Sequence, residues 1–238
     1  MRFRVDVDLM DKGVTLPLNY QKLIQGILYH ALPKELAEEA HQQEPGIRKL
    51  PQFTFSRLFG HDGIDLKRRL IHFPQLHFEV STHSDSIAYH MMAILSKGIR
   101  FFEEDFSTKL TILENYRGGH DIELLSPVTV RRTDPVTKKS VYFEPNTLDF
   151  NAAIYRNLQT KYRLYFGEEY QGPFAITAKP ESLKSSNILY KNTYIKGYVG
   201  LFQLVASPKA MHLLYDIGLG EKNAQGFGMF RMEEKKHV

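Results

Sequence analysis

Cysteine is absent from the 238 residues. That absence excludes disulfides, thiolate catalysis and cysteine-ligated metals together, and it leaves no side chain suited to redox chemistry. Long apolar runs are also missing, and no stretch approaches the roughly 20 residues needed to span a bilayer. The first residues, Met1-Arg2-Phe3-Arg4-Val5-Asp6-Val7-Asp8, alternate with period two, where a secretory signal would carry a continuous apolar core. A cytoplasmic protein with no membrane partner is therefore expected. No strong charge of one sign is present: 31 Lys and Arg against 27 Asp and Glu give a net +4. That balance leans toward an acidic or phosphate-bearing partner, but the short basic clusters (67–69, 131–132, 138–139 and 235–236) each also fit a solvated surface. His72, His77, His83 and His90 lack metal-ligand spacing and read as structural or exposed, so neither metal nor cofactor is expected.

The 42% hydrophobic content suffices for a core in one larger domain or two small ones. Periodicity predicts a strand over 2–9 and a helix over 20–32 capped by Asn19, then a short helix over 33–43. Strands over 52–59 and 76–82 follow, then a helix from a Ser84 cap to Gly98 and an extended segment over 99–113. After Tyr116-Arg117-Gly118-Gly119 the order recurs. A strand over 122–131 has a hairpin partner near 141–143, and a long helix covers 147–166. Strands near 174–178 and 194–205 come next, then a helix over 207–216 and a last strand over 227–232. Each half reads strand, helix, strand, strand, helix, strand. The fold class expected is α+β, two tandem ferredoxin-like (RRM-like) βαββαβ domains over 1–117 and 118–238. Such folds serve many functions, RNA binding among them.

The most informative stretch is Gly218-Leu219-Gly220-Glu221-Lys222-Asn223-Ala224-Gln225-Gly226-Phe227-Gly228. Four glycines and a lysine allow close approach of a ligand and presentation of backbone N–H groups, an anion site in outline. No Gly-Lys-Ser/Thr follows, and the loop opens toward a strand, so it is not a nucleotide-binding P-loop.

This loop, the opening Leu16-Pro17-Leu18-Asn19-Tyr20 and the helical Gln25-Gly26-Ile27-Leu28-Tyr29 together resemble CRISPR-associated repeat-cleaving endoribonucleases of the RAMP superfamily. The resemblance implies cleavage of precursor CRISPR RNA within the repeat, without a metal, by attack of a ribose 2′-hydroxyl on the adjacent phosphate. The products are a 2′,3′-cyclic phosphate and a 5′-hydroxyl. The family's tyrosine, histidine and lysine fall on Tyr29, His41 and Lys49, with Arg48 an alternative to Lys49. The base near the 2′-oxygen and the acid near the leaving oxygen are Tyr29 and His41 in an order left open. The resemblance also implies that Gly218, Gly220, Gly226 and Gly228, with Lys222, hold repeat phosphates through backbone N–H groups and the lysine. A non-catalytic repeat-binding protein or effector-complex subunit is the alternative, and a generic two-domain RNA binder a more distant one. Pairing with a second copy is left open.

The residues add an independent reading. At about 100° per residue, Tyr20, Ile24, Ile27, Leu28 and Ala31 form one apolar stripe, with Lys22, Gly26 and Tyr29 on the opposite face. Gly26 costs the helix up to ~1 kcal/mol, which is consistent with an RNA backbone passing close to Tyr29 and Lys22. His41 follows Glu38-Glu39-Ala40 near a predicted helix C-terminus, where the macrodipole favours the imidazolium and suits a general acid. His30, beside Tyr29, is its main rival.

Overall fold

The computed structural model describes residues 1–36 and 53–233. Strand β1 (Arg2–Val7) buries Phe3, Val5 and Val7 on one face, while Arg4 and Asp6 point away. Then come β2 (Val14–Pro17), α1 (Gln21–His30), β3 (Thr54–Phe55), β4 (Gly63–Asp65), β5 (Leu70–Phe73) and β6 (Leu76–Ser81). The half closes with α2 (Asp85–Leu95), β7 (Ile99–Phe101), β8 (Glu104–Phe106) and β9 (Thr108–Leu113). Its main sheet has the order β3-β6-β1-β9, antiparallel throughout, with Phe3 opposite Val80 on one side and Ile112 on the other. Counting only these strands, the order is second, third, first, fourth, which is the ferredoxin-like arrangement.

Residues 114–120 lead to the second half: β10 (Asp121–Leu124), β11 (Arg131–Thr133), β12 (Ser140–Tyr142), α3 (Leu148–Phe166) and β13 (Ala175–Ala178). The hairpin β14 (Lys184–Tyr190) and β15 (Thr193–Val199) precedes β16 (Leu201–Val205), α4 (Pro208–Ile217) and β17 (Phe230–Met232). The sheet order β13-β16-β10-β17 repeats that of the first half. Each half encloses a core, one around Phe3, Phe55, Phe78 and Val80, the other around Ile122, Phe150, Phe202 and Phe230.

Local chemistry explains most boundaries. Ser84, Thr147 and Ser207 accept from the N–H groups of Ile87, Phe150 and Ala210 and so start α2, α3 and α4. Gly167, in the left-handed region, stops α3. The expected Asn19 cap is not used: Tyr20 occupies the position with no side-chain cap bond, buried, its hydroxyl accepting from Leu58 N–H at 3.3 Å. The strand expected over 194–205 divides at Gly200, and the strand over 122–131 divides into β10 and β11. Strands β2, β4, β5 and β14 escaped the sequence reading because they are short or have little alternation. Among the described residues no helix is long and apolar enough to cross a membrane.

Candidate functional site

The glycine-rich loop is a buried wedge between the halves. Gly218, Gly220, Gly226 and Gly228 all have φ between +68° and +85°, a region that only glycine enters at no steric cost. Three of their N–H groups are bonded inside the protein: Gly218 to Leu214 O (2.8 Å), Gly226 to Asn223 O (3.0 Å) and Gly228 to Pro127 O (2.9 Å). Each of these three donors thus already has a carbonyl partner inside the protein. Packing also calls for glycine here. A Cβ on Gly226 would lie 2.6 Å from the Phe55 ring of β3, and one on Gly228 would lie 1.9 Å from Leu219 O.

Two polar side chains hold the loop shut. Asn223, 3% exposed, donates from Nδ2 to Leu219 O (3.1 Å) and Phe227 O (3.0 Å). Lys161 of α3, 4% exposed, donates from Nζ to Gly218 O and Gly220 O, both at 2.7 Å. Burial pulls the Lys161 pKa down to about 7, against the pull of Glu221 in the other direction. From β3, Thr54 Oγ1 donates to Phe227 O at 3.2 Å. The loop's cation, Lys222, is half-buried at φ +62°. Burial and the nearby Arg131 lower its pKa, and Glu221, 3.6 Å from Arg131 Nε, raises it. Arg131 thus joins Lys222 in one cationic corner, a pairing that the sequence separation conceals.

The loop's short 3₁₀ turn (Asn223–Gln225) contacts α1, and Ala224 packs on the first core. The helix carrying Tyr29 and the glycine loop are therefore brought together. Tyr29 is not directed away from the core, as the helical stripe implied. It packs edge-to-face on Phe53, with ring centroids 5.3 Å apart. The apolar surface of α1 is wider than one stripe because Phe53, just before β3, covers its other side. Gln25, one turn earlier, hydrogen-bonds Tyr29, and its Oε1 accepts from the Tyr190 hydroxyl of β14. Burial raises the Tyr29 pKa and the Gln25 bond partly offsets it; burial and Tyr29 raise that of Tyr190. Sequence reasoning gave no role to Gln25, Tyr190 or Lys161: Gln25 stands in the α1 motif without a role of its own, and Tyr190 and Lys161 lie in no motif.

Lys22, Gly26 and His30 lie on the exposed side of α1. A Cβ on Gly26 would meet no heavy atom within 4 Å, so the space above it is open. His41, Arg48 and Lys49 lie outside the described residues; Phe53, the first described residue after them, packs against the Tyr29 ring. Among the described residues no group of three His, Asp or Glu is arranged to hold a metal ion.

The chain is 26% identical to the CRISPR-associated endoribonuclease Cas6 of Pyrococcus furiosus, with 99% of this chain and 91% of the relative covered. It is 23% identical to CRISPR-associated endoribonuclease Cas6 1 of Methanocaldococcus jannaschii, covering 98% and 94%. Among solved structures, a RAMP protein described as binding different RNA substrates superposes with a TM-score of 0.82 at 20% identity, covering 98% of this chain and all of that one. A Cas6-related protein of Pyrococcus furiosus gives 0.81 at 18% identity, covering 99% of each. The family model for the C-terminal part of CRISPR associated protein Cas6 matches residues 112–232, from β9 through the whole glycine loop to β17, and the chain belongs to the Cas6 family.

Proposed function

We propose that this protein is an endoribonuclease that cuts precursor CRISPR RNA within the repeat, without a metal. The observation carrying the reading is the placement of Tyr29 against Phe53, with α1 touching the turn of the glycine loop, in a chain whose relatives are named endoribonucleases. In this reading residues 1–117 supply the chemistry and residues 118–238 supply the loop and the Tyr190 support. The 2′-oxygen loses its proton to a base and forms a bond to phosphorus; the bond to the 5′-oxygen breaks, and that oxygen takes a proton from an acid. A 2′,3′-cyclic phosphate and a 5′-hydroxyl result, with no net change in protons. Lys49 or Arg48 offsets charge building on the phosphate.

Burial holds the Tyr29 phenol above the ordinary tyrosine range, which disfavours the phenolate that a base role would need. We therefore assign Tyr29 as acid and His41 as base. Two-group acid–base catalysis is worth about 10²–10⁴-fold per group, so Tyr29→Phe and His41→Ala should each slow single-turnover cleavage by about that factor. The test is cleavage of the host's repeat RNA in EDTA, with a 2′-deoxy substrate as control and a 5′-thio substrate that needs no acid. Rescue of Tyr29→Phe by the 5′-thio linkage supports the assignment, and rescue of only His41→Ala reverses it. Tight binding with no cut would make the protein a repeat-holding subunit instead.

A further inference from the structure

Beside the Tyr29 helix lies an open groove of about 980 Å³, bounded by α1, the C-terminal end of α2 and the β7–β8 hairpin. Its floor is apolar, with Leu23 and Ile27 from α1 and Ile94 from α2. Its rim is cationic. Lys22 and Lys97 are exposed and have no ion-pair partner among the described residues, while Arg100 is held by Asp105 of its own hairpin at 2.9 and 3.0 Å. Among the described lining residues the charge is therefore net positive and the single carboxylate, Asp105, is paired; Glu103 and Glu104 of the same hairpin are exposed and do not line the groove.

Phe102 gives the groove a second polyanion-recognition element. It is 60% exposed and occupies the first position of the two-residue turn between β7 and β8 at φ +56°. That position of a tight hairpin is where glycine is strongly preferred, and a bulky residue there is strained. A large aromatic held exposed at backbone cost, in a groove also lined by two lysines without ion-pair partners among the described residues, matches how sequence-tolerant proteins hold single strands: phosphates on cations and a base on a ring face.

We propose that this groove holds a single-stranded RNA segment next to the cut, with Lys22 and Lys97 on its phosphates and Phe102 stacked on a base. The proposal rests on the endoribonuclease reading and adds the track by which substrate reaches Tyr29. Gly26, with open space above it, lies on that track.

The test measures binding of repeat RNA blocked by a 2′-deoxy ribose at the cut, using the full chain at about 50 to 300 mM salt. Phe102→Gly should raise Kd about tenfold and leave Tm equal or higher, because the turn prefers glycine. The double variant Lys22→Ala/Lys97→Ala should flatten the salt dependence by roughly 1.4 log units per log unit, or about 0.7 per phosphate contact on a single strand. Removing RNA from one side of the cut should cost the wild type about the same factor, after which Phe102→Gly should cost nothing further. Unchanged Kd and salt slope in both variants, with wild type still binding and cutting, would overturn the groove and leave the endoribonuclease reading standing. Variants that bind RNA normally but lose self-association in light scattering would make the groove a contact between copies, which also overturns it. Failure of the wild type to bind repeat RNA at all would remove both.

Discussion

Lys161 and Asn223 show how much of the site rests on single buried polar groups. An amide donating to two carbonyls cannot be replaced by a carboxylate, which would instead face Leu219 O and Phe227 O as an acceptor. Asn223→Asp should therefore cost about 3 kcal/mol or more in urea unfolding, and a loss below about 1 kcal/mol would mean that the loop is held by other means. Lys161 predicts a pH dependence. Its folded-state pKa of about 7 lies below the ordinary 10.5, so between those values the unfolded chain binds more protons. Stability should rise with pH across that window and be flat with respect to this group below it. Comparing wild type with Lys161→Met isolates the effect: the difference in unfolding free energy should grow in favour of wild type from about pH 7 upward. Parallel profiles would place the proton elsewhere. Neither residue was legible in sequence, because what makes each important is which carbonyls lie within 3.1 Å of it. The glycines beside them were legible as backbone exceptions. Their packing against Phe55 and Leu219 O was not, since an open anion cradle and a tightly packed wedge leave the same Gly-x-Gly spacing.

Glycine also separates two elements by what surrounds them. In α1, Gly26 is exposed, helical and free of neighbours, so Gly26→Ala should stabilise the protein by about 0.5–1 kcal/mol. In the loop, Gly228 combines φ +78° with a Cβ position 1.9 Å from Leu219 O, and its carbonyl accepts from Leu219 N–H. Gly228→Ala should displace the loop and cost several kcal/mol, on the order of 3 or more. Thermal unfolding of the two variants checks both: Tm should move up for the first and well down for the second, and movement in the same direction would refute the contrast. Helices α1 to α4 were readable from sequence because the 3.6-residue period and, for α2, α3 and α4, the capping hydroxyls act locally. The β14–β15 hairpin was not. Lys184-Ser185-Ser186-Asn187 has no buried face to write into the pattern, and this hairpin bears Tyr190, whose partner Gln25 is 165 residues away.

At the scale of the whole molecule, the repeated element order was legible because it needs only the sequence of periodicities, whereas the joint between the halves was not. That joint is built from the chain's first residues. The Arg2 guanidinium, fully buried, donates from Nη2 to Tyr215 O at 3.0 Å and stacks on the Tyr215 ring at 3.8 Å, with Glu79 at 3.7 Å and Nε without a hydrogen-bond partner among the described residues. The N-terminal ammonium donates to Thr82 O at 2.7 Å and lies 3.7 Å from Asp216, whose other oxygen is 2.8 Å from His83 Nδ1. A strand of the first half thus anchors a helix of the second, while the glycine loop of the second seals against Phe55 of the first. A joint with a buried guanidinium and a packed wedge couples the halves, unlike the loose polar contacts that let domains unfold separately. Wild type should therefore melt in one calorimetric transition, with van't Hoff and calorimetric enthalpies equal. Arg2→Ala empties the stacking site and leaves Tyr215 O without its donor, so it should cost about 2–4 kcal/mol and separate the melt into two transitions. Two transitions already present in wild type would show that the halves fold independently, and Tyr29 and the Tyr190 hairpin would then meet only when RNA holds them together.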